Sequence, residues 1–326
     1  TPHAHGIVGN GWYNRELAEV QFWKQSNHLV QGKKLWEELR ERDPKFTCAK
    51  LFWWYNMYST ADYSITPRPM YPADGRKVFD IYTFPGNIRH AIKRDLGEFP
   101  FPCFWGPAAG INTPQGPPDA VSRWIAASAK WIEERHSPTL NLIYLPHLDY
   151  NLQRHGPYQQ RAAGVPPTDK NQGPPNAGLS NPTRDISETS QSSSLSPGER
   201  AGARGSVNAK PTNILNPAIH ADLRVIDAIV GDLINYFRER SVQVVLLSEY
   251  GITNVGRAIH LNHLFRRMGW LTIKEELGLE ILDCGASKAF AVTDHQIAHI
   301  YLNDPSLEPK VRALLDGRFH VSFQDI

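Results

Sequence analysis

Three groups of polar residues carry types and spacings that can do chemistry. The first is Pro146-His147-Leu148-Asp149-Tyr150, continuing to Gln153-Arg154-His155-Gly156-Pro157. The second is Ser248-Glu249-Tyr250-Gly251, and the third is Asp294-His295-Gln296 with His299. Each adjoins a short apolar run that reads as a strand, and in an α/β sheet ligands sit beyond the carboxyl ends of the strands. Asp149 and Glu249, at the ends of two such strands, are placed to share a divalent cation, and oxygen and imidazole donors suit zinc, manganese or magnesium. Each group also has a plainer reading. A lone Asp after a strand caps a turn, Glu249 alone says no more, His295 in a hairpin turn is a solvated polar residue, and His299 is an edge-strand histidine. The aromatic run Phe52-Trp53-Trp54-Tyr55 reads as core before it reads as a base-stacking platform. Composition and spacing therefore reach an α/β protein in which a metal site is one of two open readings.

The elements that would hold these groups alternate. Leu142–Leu145 reads as a short buried strand. Val242–Ser248 reads as another, nearly continuously apolar, as parallel strands covered on both faces tend to be. Both are expected in one sheet, with Asp149 and Glu249 at the same edge. Between Pro118 and Arg135 the spacing of Val121, Trp124, Ile125 and Ile132 predicts a helix. A second helix is predicted from Asn216 to about Arg240, with Asn216 at the N-cap and Pro217 at the first helical position. Leu223, Ile226, Val230, Leu233 and Phe237 then fall at helical spacing. Residues 286–304 read as two strands joined around Asp294-His295-Gln296. Helix and strand in alternation predict an α/β sheet.

One segment stands apart. From Pro157 to about Thr212 the chain is rich in Pro, Gly, Ser, Asn and Gln, a composition that cannot bury enough apolar surface to offset its ordering entropy. It is expected to be a disordered insertion at about 158–212 inside a single domain spanning 1–326. The charge balance, 35 Lys and Arg against 33 Asp and Glu, gives a net charge of +2 and argues against a nucleic-acid-binding surface. The 41% hydrophobic content supports a normal core, and no run of ~18 apolar residues reads as a membrane span. Cys48, Cys103 and Cys284 lie far apart, which excludes a disulfide framework and a cysteine zinc site. With no signal peptide in the chain as given, this favours a cytoplasmic location.

The motifs together resemble a family. His5-Gly6-Ile7-Val8-Gly9-Asn10, followed by Trp12-Tyr13, is similar to the HGI-x-x-N segment of the type I phosphodiesterase/nucleotide pyrophosphatase family of the alkaline phosphatase superfamily. Lys34-Leu35-Trp36-Glu37 resembles its P-x-W helix start, and Leu51-Phe52-Trp53-Trp54 its FWPG strand end. Tyr144-Leu145-Pro146-His147-Leu148-Asp149, with Gly156-Pro157, resembles D-x-x-G-H-x-x-G-P, and Ser248-Glu249-Tyr250-Gly251-Ile252 resembles S-D-H-G-M. The resemblance implies an alkaline-phosphatase-like α/β fold, truncated here, with a mainly parallel sheet between helices. It also implies a metal-dependent hydrolase of phosphoric diester or diphosphate bonds, acting on a small-molecule phosphoester with one or two divalent ions, zinc foremost. Two-metal catalysis lowers the pKa of the nucleophile and neutralises charge on the attacking and leaving oxygens.

Carried over residue by residue, the resemblance makes Asn10 a neutral donor to a phosphate oxygen. It makes Asp149 a metal ligand and places Gln153, or His155 after a local shift, at the family's next ligand position. Glu249 and Tyr250 stand at the Asp-His pair, where Glu reaches further than Asp and a phenol must lose a proton of pKa ~10 to ligate zinc. His295 and His299 are weaker metal candidates. The family nucleophile is expected upstream of Thr1, so no residue here is named as catalytic, and the chain reads as part of a longer hydrolase. Two alternatives stay open: a catalytically degenerate pseudo-enzyme or binding protein on the same fold, and a related phosphonate or sulfate-ester hydrolase. One expectation follows from composition alone. Replacing residues 160–210 by a short linker leaves the melting temperature nearly unchanged, and a drop of many degrees in thermal unfolding would show that the segment packs.

Overall fold

Residues 1–72, 74, 76–159, 214–255 and 258–319 are described by a computed structural model. The expected insertion lies almost wholly outside the described residues. Chain contacts divide the molecule into two units, the first comprising Thr1–Phe99, Trp124–Leu145 and Ile259–Ile326, the second Pro100–Arg123 and Pro146–Ala258.

The first unit opens with a single helical turn, α1 (Pro2–His5), and an antiparallel hairpin, β1 (Gly11–Asn14) and β2 (Glu19–Phe22). Helix α2 (Leu35–Arg42) starts at Lys34, whose N–H donates to Glu37 Oε2 at 2.8 Å. Glu37 therefore satisfies a donor that the first helical turn leaves open. A four-stranded sheet follows, in the order β5 (Val78–Phe84), β4 (Tyr63–Met70), β3 (Cys48–Leu51), β6 (Leu140–Ile143). Strand β3 runs parallel to both β4 and β6, and β5 is antiparallel to β4. All four β3 residues are buried, as a parallel strand flanked by helices requires. Trp36 of α2 packs on Cys48 and Ala61. Helix α3 (Ile88–Leu96) buries Ile88 and Ile92. Phe52, Phe99 and Trp124 of α4 (Ala120–His136) form an aromatic cluster, with Phe52 and Phe99 ring centroids 4.8 Å apart. The face predicted for α4 is the buried one: Val121, Trp124, Ile125 and Ile132 are all core. Only Phe52 of the run Phe52-Trp53-Trp54-Tyr55 joins the core, and Trp53 is exposed.

The second unit holds α5 (His147–His155) and α6 (His220–Arg238), preceded by a short 3-10 turn, Pro217–Ile219. Asn216 caps that turn, its Oδ1 accepting from the Ala218 N–H at 3.1 Å, so the predicted start of this helix is found. The predicted strand Val242–Ser248 is not. Residues 242–248 have no ladder partner among the described residues, and Val245, Leu246 and Leu247 are 72%, 69% and 75% exposed. An apolar run becomes a strand only when neighbours take its backbone N–H and C=O groups, and hydropathy does not report on those neighbours.

The chain then returns to the first unit. Helix α7 (Leu261–Arg267) leads to two antiparallel hairpins, β7 (Thr272–Glu276) with β8 (Leu279–Asp283), and β9 (Ala289–Asp294) with β10 (Ile297–Leu302), before α8 (Glu308–Phe319). The second hairpin is the one expected in 286–304. Ala289 and Ala291 face a core of Phe265, Trp270, Leu307, Val311 and Leu315. Phe290 and Val292, on the alternate positions of β9, face Tyr13 and Cys284. Both faces of β9 are therefore buried, and one of them carries the N-terminal hairpin.

Lys50 is the anomaly of the sheet. It is 1% exposed in the middle of β3; its Nζ donates to the Tyr55 carbonyl at 2.9 Å and lies 4.8 Å from the Trp36 ring centroid. Burial pulls its pKa from 10.5 down to about 8. A depressed lysine makes the folded state bind fewer protons than the unfolded one, so stability rises as pH climbs through that window. The unfolding free energy of the native protein is expected to gain up to ~1.4 kcal/mol per pH unit over Lys50→Met between pH 8 and 10.5. Urea unfolding at successive pH values checks this, and parallel profiles for the two proteins would contradict it.

Candidate functional site

The first cluster joins the ends of the chain. Asn10, between α1 and β1, meets Asp294 at the tip of the β9–β10 hairpin. The Asn10 backbone N–H donates to Asp294 Oδ2 at 2.7 Å, and its side-chain Nδ2 donates to Oδ1 at 3.1 Å. Gly9 permits the approach: a β-carbon there would sit 2.9 Å from Asp294 Oδ2. His295, in the left-handed region at φ 54°, places Nδ1 2.7 Å from Asp294 Oδ1. His299 Nε2 lies 3.1 Å from the Val8 carbonyl, which can only accept. Below these contacts the Tyr13 N–H donates to the Tyr301 hydroxyl at 3.0 Å, and the Tyr13 ring packs edge-on against Phe290 and Tyr301. Burial alone would raise the Asp294 carboxyl, but the hydrogen bonds from Asn10 and His295 hold it below the usual carboxylate range. Burial, with the Asp294 charge behind it, raises the Tyr55 phenol.

The second cluster lies on α5 and the segment after residue 248. Sequence reasoning placed Asp149 at the carboxyl end of a strand, but it sits in the first turn of a helix. Pro146 precedes that helix, and Gly156 ends it at φ 74°, its N–H donating to the Leu152 carbonyl at 2.9 Å. Proline before and glycine after are the signals that could have shown this helix. One turn on, Gln153 Nε2 donates to Asp149 Oδ1 at 3.1 Å, and the Tyr250 hydroxyl donates to Asp149 Oδ2. Partial desolvation, and then the Asp149 charge, raise the Glu249 carboxyl above its ordinary range. Asp149, Gln153, Glu249 and Tyr250, four residues singled out in the sequence, are thus brought together. The His155 ring is not joined to them. His295 and His299 belong to the Asn10 cluster, and no group of three or more His, Cys, Asp or Glu residues gathers around a metal position among the described residues.

The opposite face of α5 is fixed by a buried network that sequence reasoning missed. Asn151 Nδ2 donates to the Gly110 carbonyl at 2.8 Å and to Asp222 Oδ2 of α6 at 3.0 Å, while Arg154 donates to Asn151 Oδ1 and to the Ala109 carbonyl. His147 Nε2 lies 3.2 Å from Asp222 Oδ1, and burial lowers the His147 pKa against the pull of Asp222. Gly110, at φ 70°, has no room for a side chain: a β-carbon would sit 2.9 Å from the Tyr150 β-carbon. Asp149 and Gln153 therefore project from a helix whose other face is bolted down.

The family profile described as type I phosphodiesterase / nucleotide pyrophosphatase matches residues 1–324, and the chain belongs to that family. Its members are hydrolases of phosphoester and diphosphate bonds that generally depend on divalent metals and act on small phosphoesters. No curated protein and no solved structure matches the chain. No described helix is long and apolar enough to cross a membrane.

Asn151→Ala strips partners from Gly110, Arg154 and Asp222 at once. Each buried polar group left unpaired costs ~1–3 kcal/mol, so urea unfolding should show a loss in that range or above. A loss below ~0.5 kcal/mol, the size of an ordinary surface substitution, would mean that α5 is held by other contacts.

Proposed function

We propose that the chain supplies phosphate- and cation-binding groups to a metal-dependent hydrolase of phosphoric diester or diphosphate bonds. Asn10 is assigned to a phosphate oxygen. Its amide carries two N–H donors, one given to Asp294, and the other can meet the anion. Asp149 and Glu249 are assigned to a divalent cation, with the Gln153 amide oxygen and water completing the shell.

The observation that carries this reading is the gathering of Asp149, Gln153, Glu249 and Tyr250, where burial first and the Asp149 charge second raise the Glu249 carboxyl. Two carboxylates that repel each other are relieved by a shared cation. The donors fit a hard ion. Carboxylate, amide oxygen and water suit magnesium or manganese, whereas zinc sites are built mainly on imidazole and thiolate. The residues present therefore fit one hard cation better than the two-zinc arrangement. When bound, such an ion neutralises charge developing on the phosphoryl oxygens. The protein's own residues do the rest. Gln153 orients Asp149, the buried face of α5 fixes the direction in which Asp149 points, and Asn10 holds a phosphate oxygen without adding charge.

Tyr250 favours a second reading, in which the site is a degenerate one. Its hydroxyl proton occupies Asp149 Oδ2, where the resemblance places a metal bond. One experiment separates the two. Manganese or magnesium binding is measured by isothermal calorimetry on the wild type, Asp149→Asn and Glu249→Gln, together with turnover of an artificial phosphodiester. Cation binding that weakens at least ~10-fold in each variant, with turnover falling in parallel, is the expected outcome. Equal binding by all three proteins would remove the cation site, and binding without wild-type turnover would select the degenerate reading.

A further inference from the structure

We propose that Trp23, Trp54 and Tyr144 form a site for a quaternary ammonium group, which makes the ligand a phosphoester whose alcohol carries such a group. The second half of the proposal rests on the assignment of Asn10 to a phosphate oxygen. Every residue it uses belongs to the first unit, and the cation-binding residues of the second are not needed.

The three rings form a continuous row. The centroids of Trp23 and Trp54 lie 5.8 Å apart with planes inclined by 33°, and those of Trp54 and Tyr144 lie 5.9 Å apart, inclined by 54°. The row stands at the carboxyl edge of two parallel strands. Trp54 follows β3, and Tyr144 follows β6, its N–H donating to the Leu51 carbonyl at 3.1 Å. That edge is where α/β sheets take ligands. Hydrogen bonds to the backbone hold the row in place. Lys50 Nζ and Asn27 Nδ2 both donate to the Tyr55 carbonyl at 2.9 Å, and the Asn56 amide donates to the Lys50 and Ile65 carbonyls. Trp23 and Tyr55 lie in the left-handed region, at φ 53° and 50°, where bulky residues are outliers. Strain of this kind gathers at ligand sites. The row keeps its access to solvent: Trp23 is 48% exposed, and Trp54 and Tyr144 are half-buried.

Ring angles and charge choose the occupant. A flat ring cannot lie parallel to three faces inclined by 33° and 54°, whereas the rounded methyl shell of a trimethylammonium meets inclined faces equally. Tryptophan is the strongest aromatic partner for such a cation. The counter-charge is close by. The Trp23 N–H donates to the Asn10 carbonyl at 3.0 Å, and Asn10 is bonded to Asp294. Tyr55, next to Trp54 in the chain, also feels that carboxylate: burial first and the Asp294 charge second raise its phenol. Asn10 therefore links the row to the carboxylate. An ammonium on the rings and a phosphate oxygen on the Asn10 amide can belong to one choline-like phosphoester.

The test is calorimetric titration of the protein with five probes: phosphocholine, phosphoethanolamine, adenosine monophosphate, tetramethylammonium and inorganic phosphate. Phosphoethanolamine keeps the ammonium charge without the methyl groups, and adenosine monophosphate offers a planar ring instead. Phosphocholine is expected to bind more tightly than both. Trp54→Leu and Trp23→Asn, the latter tolerant of the left-handed turn, are each expected to weaken phosphocholine roughly 3–30-fold, the range of exposed to desolvated cation–π pairs, and to leave inorganic phosphate within about 2-fold. Equal affinity for phosphocholine and phosphoethanolamine, tighter binding of adenosine monophosphate, or a choline preference that survives both substitutions would overturn the ammonium site. Inorganic phosphate that still binds in that case leaves the phosphate assignment of Asn10 standing. Tetramethylammonium bound as tightly as phosphocholine would keep the ammonium site and remove that assignment, and no binding of any probe would overturn both. Selectivity among the probes is read on the wild type, so a variant that fails to fold leaves the test decisive.

Discussion

One buried carboxylate holds the two ends of the described chain together. Asp294 takes the backbone N–H and the side-chain amide of Asn10, residues 284 positions apart, and fixes His295 with the same group. An ionised carboxylate taken from water is costly unless hydrogen bonds replace the lost solvation. Three donors replace it here, and losing any one leaves the charge less well satisfied. The residues on either side of Asn10 share this anchor. Tyr13 reaches Phe290 and Tyr301, Val8 reaches His299, and Gly9 lets the two backbones close. The motif that resembles a phosphate-binding segment is therefore not a free loop. It is a fixture of the hairpin that comes last in the sheet-forming part of the chain.

The second cluster is built on the same principle with the roles reversed. Its anchor is the buried face of α5, where Asn151 and Asp222 lock the helix, and Asp149 and Gln153 lie on the other face. Asp149 is held between Gln153 and Tyr250, each donating to one carboxylate oxygen. Where the resemblance sets the family's Asp-His pair, the chain carries Glu249-Tyr250. It exchanges an imidazole for a phenol that donates a proton to the neighbouring carboxylate, and it moves the donor set from nitrogen toward oxygen.

Part of this was legible in the sequence. The buried face of α4 followed from apolar spacing, the start of the 217–238 helical segment from Asn216-Pro217, and the β9–β10 hairpin from alternation around Asp294-His295-Gln296. These signals are local, and local signals survive folding. The grouping of Asp149, Gln153, Glu249 and Tyr250 came from motif resemblance, which stands in for distances that spacing alone lacks. What escaped was set by partners remote in sequence. Val242–Ser248 had the hydropathy of a covered strand but no ladder neighbour among the described residues, and Asp149 sat in a helix where a strand end was expected. Lys50 lay in a run that looked unremarkable until Tyr55 and Trp36 closed around it. The Asn10–Asp294 contact had no sequence signal beyond a polar cluster at Asp294 and a resemblance motif at Asn10.

A crystal structure of the protein with bound vanadate, an oxyanion of phosphate geometry, tests the Asn10–Asp294–His295 arrangement most directly. A vanadate oxygen within hydrogen-bond distance of Asn10 Nδ2, with that amide still on Asp294, is the predicted result. Vanadate bound away from Asn10, or an Asn10 amide that leaves Asp294 to meet it, would contradict the arrangement.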